Sequence, residues 1–61
     1  MNIAICDQDY YTYQQLCLYI KKYFEENSSF IQSYTIDYYP SIDKLLDSQQ
    51  NYDILFIDIY I

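Results

Sequence analysis

The sequence contains no glycine, histidine, arginine or tryptophan, and it has only one proline. Without glycine, the glycine-rich loops that cradle phosphates in dinucleotide-binding and P-loop proteins cannot form. Without histidine, and with only two cysteines, the chain offers no plausible set of zinc ligands. Because histidine, arginine and a catalytic triad are all missing, we expect that the chain is not an enzyme.

Positive charge is also scarce, since three lysines stand against nine acidic residues and the formal net charge is −6. Nucleic-acid binding needs a basic surface, so we expect none, and cations or the basic face of a partner are better matches. No stretch is long enough to span a bilayer, and the N-terminus lacks the basic and apolar regions of a secretory signal. We therefore expect a cytoplasmic protein without membrane contact.

A chain of 61 residues is short for a domain and buries only about 60% of its unfolded surface. Its two cysteines, Cys6 and Cys17, fall in apolar strand and helix sequence, which favours reduced core thiols over a disulfide. The ten tyrosines are more simply explained by composition than by a tyrosine-specific function. We expect a marginally stable chain without a covalent brace.

The apolar pattern predicts strands at residues 2–6, 33–39 and 53–60, separated by two helices. Asp9 and Ser41 are the predicted N-caps of these helices, and the first helix runs from Tyr10 to Glu26. Apolar residues recur at helical spacing in both, namely Tyr13, Leu16, Cys17, Ile20, Tyr23 and Phe24, then Ile42, Leu45 and Leu46. The order β-α-β-α-β predicts an α/β fold with right-handed crossovers.

If the third strand pairs with the first on the side away from the second, the parallel strand order is 2-1-3. Ligands bind at the carboxyl end of such a sheet, where the strand order reverses. The run from Ile54 to Ile61 indicates a strand buried on both faces, and a lone acid within it, Asp58, is costly unless it lies at the strand end. The first strand also ends in acids, Asp7-Gln8-Asp9.

Asp7 and Asp9 could equally be turn and cap residues, which are common in such loops. Asp58 is not explained in that way. The other aspartates are expected to be surface or helix-end charges; these are Asp37, Asp43, Asp47 and Asp53. Carboxylates that converge repel one another unless a cation neutralises them, and oxygen ligands favour Mg²⁺, Mn²⁺ or Ca²⁺. Together these features suggest phosphoryl transfer to Asp58 with Mg²⁺.

Three segments carry a resemblance to a known family: residues 3–7, 37–46 and 52–61. At these residues the sequence resembles the receiver domain of bacterial two-component response regulators, of the LytR/AlgR (LytTR) type. The resemblance covers the whole chain but only about half of the family's domain. It implies that residues 1–61 form a partial receiver domain, with a truncated flavodoxin-like fold that lacks strands four and five.

The resemblance implies that Asp58 accepts phosphate from a sensor histidine kinase in a phosphorelay. It also implies that Asp7, Asp58 and the backbone carbonyl of Tyr60 help to hold Mg²⁺. Where the family has a second acid, this sequence has Gln8, which contributes an oxygen without charge, so Mg²⁺ should bind weakly. Asp9 could compensate through a water molecule.

The sequence ends with the third strand, before the family's switch hydroxyl, its phosphate-pairing lysine and the usual DNA-binding output domain. Lys21, Lys22 and Lys44 belong to helices and do not match that lysine. We therefore expect an impaired phosphoacceptor and a chain that alone is partly folded, oligomeric or poorly soluble. A bare third strand also suggests an interaction fragment that pairs with another receiver domain. A non-functional gene remnant is the third interpretation.

Overall fold

The computed structural model describes residues 1–27 and 33–58. Its five elements, in chain order, are β1 (Asn2–Cys6), α1 (Tyr10–Glu26), β2 (Thr35–Tyr39), α2 (Ile42–Ser48) and β3 (Ile54–Ile57). The strands form one parallel sheet in the order β2-β1-β3. The predicted α/β class, order of elements and strand order are therefore confirmed.

The strand ends differ slightly from the prediction. β2 begins at Thr35 rather than residue 33, because its partner β1 begins at Asn2 and the register pairs these two residues. The Thr35 N–H donates to the Met1 carbonyl at 2.9 Å, and the regular pairing of β2 with β1 starts from there. At the other edge, the Asp53 N–H donates to the Asn2 carbonyl at 2.8 Å and β3 follows. The predicted continuation of β3 through residues 59 and 60 lies outside the described residues.

Both predicted N-caps are confirmed. The Asp9 carboxylate accepts the Tyr11 N–H at 3.0 Å and the Thr12 hydroxyl at 3.0 Å, which satisfies the first turn of α1. Ser41 Oγ accepts the Lys44 N–H at 3.3 Å at the start of α2. Gln49, directly after α2, has the left-handed conformation, with φ 52°, where glycine is usual and this sequence has none.

The core lies between β1 and α1. Ile3 and Ile5 of β1 pack with Ile20 and Phe24 of α1, and partly buried side chains surround them: Tyr13, Leu16, Cys17, Tyr34 and Ile36. Residues alternate between the faces of a strand, so Ala4 and Cys6 face the other side of the sheet, and both are buried there. β1 is therefore buried on both faces.

Some predicted apolar faces are less covered than expected. Tyr23 belongs to the predicted apolar stripe of α1 but is exposed, whereas Ile20 and Phe24 of the same stripe are buried. α2 has no buried residue, and Ile42 and Leu46 are exposed, because this short helix packs chiefly against β2 at one side of the sheet.

The prediction that the third strand is buried on both faces is wrong for its described part. All four residues of β3 are exposed, because this strand lies at the edge of the sheet and α1 packs over β1 instead. Both cysteines are free thiols, as expected, with Cys6 buried and Cys17 half-buried. Within the described ranges, neither helix has the length and apolar character needed to cross a membrane.

Candidate functional site at the carboxyl edge of the sheet

The backbone ladder places Asp7 and Asp58 at the same edge of the sheet. The Asp58 N–H donates to the Cys6 carbonyl at 3.0 Å, which extends the pairing of β3 with β1 by one residue. On the other side, the Asp7 N–H donates to the Tyr39 carbonyl at 3.1 Å. Since β1 and β3 are parallel neighbours, both aspartates follow the carboxyl ends of their strands. The sequence-based expectation that they lie on one edge is thus met.

Asp7 and Asp58 border two cavities together. The first has a volume of about 200 Å³ and is lined by Cys6, Asp7, Gln8, Pro40, Ser41, Ile42, Asp43 and Asp58. The second has a volume of about 360 Å³ and is lined by Ile5, Cys6, Asp7, Thr12, Leu16, Phe56, Ile57 and Asp58. The first borders the start of α2 and the second borders α1. Asp7 and Asp58 are therefore shared by the linings of both cavities.

The two aspartates differ in their surroundings. Asp7 is only 5% exposed, and its Oδ1 accepts the Asp9 N–H at 2.8 Å. It is thus a turn residue as well as a candidate ligand, since a carboxylate has further acceptor positions. Asp58 is exposed, so its carboxylate is accessible from solvent. Burial holds one carboxylate in place, and exposure makes the other accessible.

The remaining candidate ligands are unequally placed. Gln8 borders the first cavity, where its amide oxygen could serve as a neutral ligand. Asp9 borders neither cavity, and both of its carboxylate oxygens take part in the cap of α1. Tyr60, whose carbonyl is an expected ligand, lies outside the described residues. Gln8 is therefore better placed than Asp9.

Asp43 is a residue that the sequence did not single out for this site. It lies in the first turn of α2, as a helix-end charge, but it also lines the first cavity. The sequence could have indicated this position, because the Ser41 cap starts α2 shortly after β2, at the same edge of the sheet. An acid in the first turn of that helix must lie near the ends of the strands.

The donor set suits a hard cation in type but is small. Across residues 1–27 and 33–58, no three acidic, cysteine or histidine side chains lie close enough together to hold a metal ion. Mg²⁺ is often bound by one or two carboxylates while it keeps several waters. Asp7 and Asp58, with the Gln8 amide, fit that pattern and would give weak binding.

The thiol at this edge is not a candidate nucleophile. Burial raises the pKa of Cys6, and the neighbouring Asp7 charge raises it further. A raised pKa keeps the thiol protonated at neutral pH, and it is the thiolate that reacts. Cys6 therefore contributes packing at the lining of the two cavities.

Tyr38 contacts the site directly, although no sequence pattern distinguishes it among ten tyrosines. Its hydroxyl donates to the Asp7 carbonyl at 2.8 Å. Its ring packs against Tyr13 and Tyr10 of α1, with centroids 4.3 Å and 5.4 Å away. Burial raises the pKa of Tyr38, and the Asp7 and Asp9 charges add to this, so the hydroxyl stays a donor at neutral pH.

In comparisons with protein-family models, curated proteins and solved structures, nothing matches this chain. The resemblance to receiver domains therefore depends on the three sequence segments that carry it. The class that the fold itself defines is a small α/β chain with three parallel strands in the order 2-1-3. Its acidic edge, the carboxyl edge of the sheet that carries Asp7 and Asp58, lies where the strand order reverses. This is the usual place for a ligand in such sheets.

Proposed function

We propose that this chain is a receiver-type phosphoacceptor, part of a flavodoxin-like receiver domain of the LytR/AlgR type. In this proposal the chain is cytoplasmic, a sensor histidine kinase transfers phosphate to Asp58, and the chain is a protein substrate of the kinase rather than an enzyme. One observation carries the proposal: Asp7 and Asp58 follow neighbouring parallel strands and border the same cavities. A kinase-facing group needs access, and Asp58 is exposed.

The proposed step is a phosphoryl transfer between two side chains. A carboxylate oxygen of Asp58 attacks the phosphorus of a phosphohistidine, a P–O bond forms, and the P–N bond breaks. The bonding electrons leave with the imidazole, which takes up a proton. A bound Mg²⁺ would offset the negative charge on the phosphoryl oxygens. Asp7 supplies a fixed carboxylate for the cation, and Gln8 supplies a neutral oxygen.

Transfer should be slow, because the described part of the site offers the phosphoryl group no positive side chain. None of the lysines lines either cavity; Lys21 and Lys22 are exposed on α1, and Lys44 is exposed on α2. A switch also needs two states that the phosphate distinguishes. We therefore propose an inefficient phosphoacceptor with little switching of its own.

Phosphorylation by a small donor tests the proposal. The chain is incubated with Mg²⁺ and acetyl phosphate, and intact mass spectrometry is used to detect one added phosphoryl group. We expect slow labelling that Asp58→Asn abolishes and that chelation of Mg²⁺ suppresses. Asp47→Asn is the matched control, since Asp47 is an exposed aspartate of α2 that borders neither cavity. Labelling that persists in Asp58→Asn would refute the assignment.

The exposure of β3 supports a second candidate, an interaction fragment that docks onto another receiver domain. An apolar groove of about 410 Å³ lies beside this strand and is lined by Met1, Ile3, Leu16, Tyr19, Ile20, Tyr23, Phe24, Ile54 and Phe56. Among the described residues, β3 has no strand on its outer side, so its backbone could pair with a partner. The net charge of −6 favours a partner whose facing surface is basic.

Co-purification with a full-length response regulator separates the two candidates. Docking through β3 predicts that binding survives Asp58→Ala and is lost in Phe56→Lys. If the chain is a phosphoacceptor, labelling is lost in Asp58→Ala and survives in Phe56→Lys. A chain that is neither labelled nor bound would fit a gene remnant.

A further inference from the structure

The backbone ladder of β1 ends at the acidic edge, and a side chain continues it. The last backbone bonds use the Cys6 carbonyl and the Asp7 N–H. The next acceptor, the Asp7 carbonyl, receives the Tyr38 hydroxyl at 2.8 Å, from a residue 31 positions away in sequence. A hydrogen bond from β2 therefore fixes the peptide group that begins the β1–α1 loop.

Tyr38 is itself held firmly. It pairs with Ile5 in the sheet, so its position along β2 is set by the register. Its ring lies 4.3 Å from the Tyr13 ring and meets the Tyr10 ring edge-on at 5.4 Å between centroids. Tyr10 and Tyr13 belong to the start of α1, directly after the loop that Tyr38 contacts. The phenol is therefore tied to both ends of this loop.

We propose that Tyr38 is a positioning residue for the acidic edge: its hydroxyl holds the β1–α1 loop so that the Asp7 carboxylate stays beside Asp58. The inference rests on the proposed function, because it names a divalent cation as the ligand that needs this placement. Tyr38 lines neither cavity, so it acts only through Asp7. Without the hydroxyl, a partly buried carbonyl loses its partner and the loop can rotate toward water.

A pair of conservative substitutions tests this role. Tyr38→Phe removes the hydroxyl and keeps the ring packing. Tyr34→Phe is the matched control, because the half-buried Tyr34 ring stacks on Phe24 at 4.3 Å and precedes the opposite, amino end of β2. Mn²⁺ is the probe, and its binding is followed by the broadening of amide NMR signals. Urea unfolding checks that both variants fold equally well.

We expect Tyr38→Phe to weaken Mn²⁺ binding about three- to tenfold, the effect of one lost hydrogen bond, while Tyr34→Phe leaves it unchanged. A second readout is hydrogen exchange at the Asp9 N–H, which the Asp7 carboxylate accepts at 2.8 Å. Exchange at this amide should be several-fold faster in Tyr38→Phe alone. A merely structural role would lower the urea midpoint without this local change.

The outcomes separate the two proposals. If wild type binds Mn²⁺ and both variants match it in affinity and in Asp9 exchange, the positioning role is refuted and the phosphoacceptor stands. If wild type neither binds Mn²⁺ nor is labelled at Asp58, the proposed function fails, and with it the naming of a cation. In that case, faster exchange of the Asp9 N–H in Tyr38→Phe would still support the claim that Tyr38 positions the β1–α1 loop. Unchanged exchange would refute this claim too.

Discussion

β1 and β3 are both apolar strands that end beside an aspartate, yet their surroundings are opposite. In β1, Ile3, Ala4, Ile5 and Cys6 are at most 2% exposed. In β3, the exposed fractions run from 37% at Ile54 to 49% at Leu55. The difference comes from place in the sheet, since β1 is central and β3 lies at the edge of the described strands.

The two aspartates that follow these strands differ in burial in the same way. Asp7 follows the buried strand and is itself buried, with its carboxylate held by the Asp9 N–H and its carbonyl held by Tyr38. Asp58 follows the exposed strand and faces solvent. A fixed acid that binds a cation and an accessible acid that receives phosphate are what the proposed function needs. The strands' unequal burial supplies one buried and one accessible acid.

The largest expected effect comes from truncating the central strand. Ile5→Ala removes buried methyl groups from the core and should cost about 2–5 kcal/mol of unfolding free energy. A chain of this length has about 3–9 kcal/mol in total. We therefore expect Ile5→Ala to lose a large part of its unfolding free energy, seen as a lower urea midpoint when unfolding is followed by far-ultraviolet circular dichroism.

The matched change at the edge is Ile57→Ala, since Ile57 is 42% exposed and the same side chain is shortened. Because part of this side chain already contacts water, shortening it should cost clearly less unfolding free energy than shortening Ile5. Equal shifts of the urea midpoint in the two variants would mean that β3 is as well covered as β1, and the contrast between the strands would fail.

An intermediate effect is expected on self-association. Phe56 lines the apolar groove between α1 and β3, and Phe56→Lys places a charge there. If the exposed strand makes the chain oligomeric, this change should weaken association about tenfold or more, because a charge would have to be buried in the contact. Sedimentation velocity over a range of concentrations measures this directly.

Leu18→Lys is the control, because Leu18 is an exposed apolar residue of α1 that does not line this groove. It should leave association unchanged. A wild-type chain that is monomeric and unfolds cooperatively would contradict the expectation that exposed β3 drives association.

The order of elements, the helix caps and the strand order could be predicted because they depend on local chemistry and on connection rules. Asp9 and Ser41 precede apolar helical repeats, and each accepts a first-turn N–H. Asp7 and Asp58 could be brought together because parallel strands end at one edge. These inferences needed only periodicity and chain direction.

Burial and side-chain reach could not be predicted in the same way. The apolar run at residues 54–57 has the composition of a strand buried on both faces, and although the predicted order already put it at an edge, its exposure depends on α1 packing over β1. Tyr38 resembles nine other tyrosines in sequence, and its bond to the Asp7 carbonyl depends on register across the sheet. Asp43 reaches the first cavity only because α2 starts beside it.

The smallest expected effect concerns a contact that spans the central strand. Tyr52 precedes β3, and its hydroxyl donates to Asp37 Oδ2 of β2 at 2.7 Å and shares a hydrogen bond with the Tyr39 hydroxyl. Since β1 lies between β2 and β3, this contact ties the start of the exposed strand to the far side of the sheet. Partial burial raises the pKa of Tyr52, and the bonds to Tyr39 and Asp37 raise it further.

A folded-state pKa above the unfolded value of about 10 means that Tyr52 stabilises the fold fully below about pH 10. Above that pH the unfolded chain loses its proton first, so the stabilisation declines as pH rises toward the folded-state pKa.

Urea unfolding at a series of alkaline pH values should therefore show a decline in unfolding free energy that Tyr52→Phe makes shallower. Tyr13 and Tyr38 also have raised pKa values, so part of the decline should remain. Tyr11→Phe, at an exposed position outside this network, should keep the wild-type slope, and an equally steep decline in Tyr52→Phe would show that the contact does not hold β3 to the sheet.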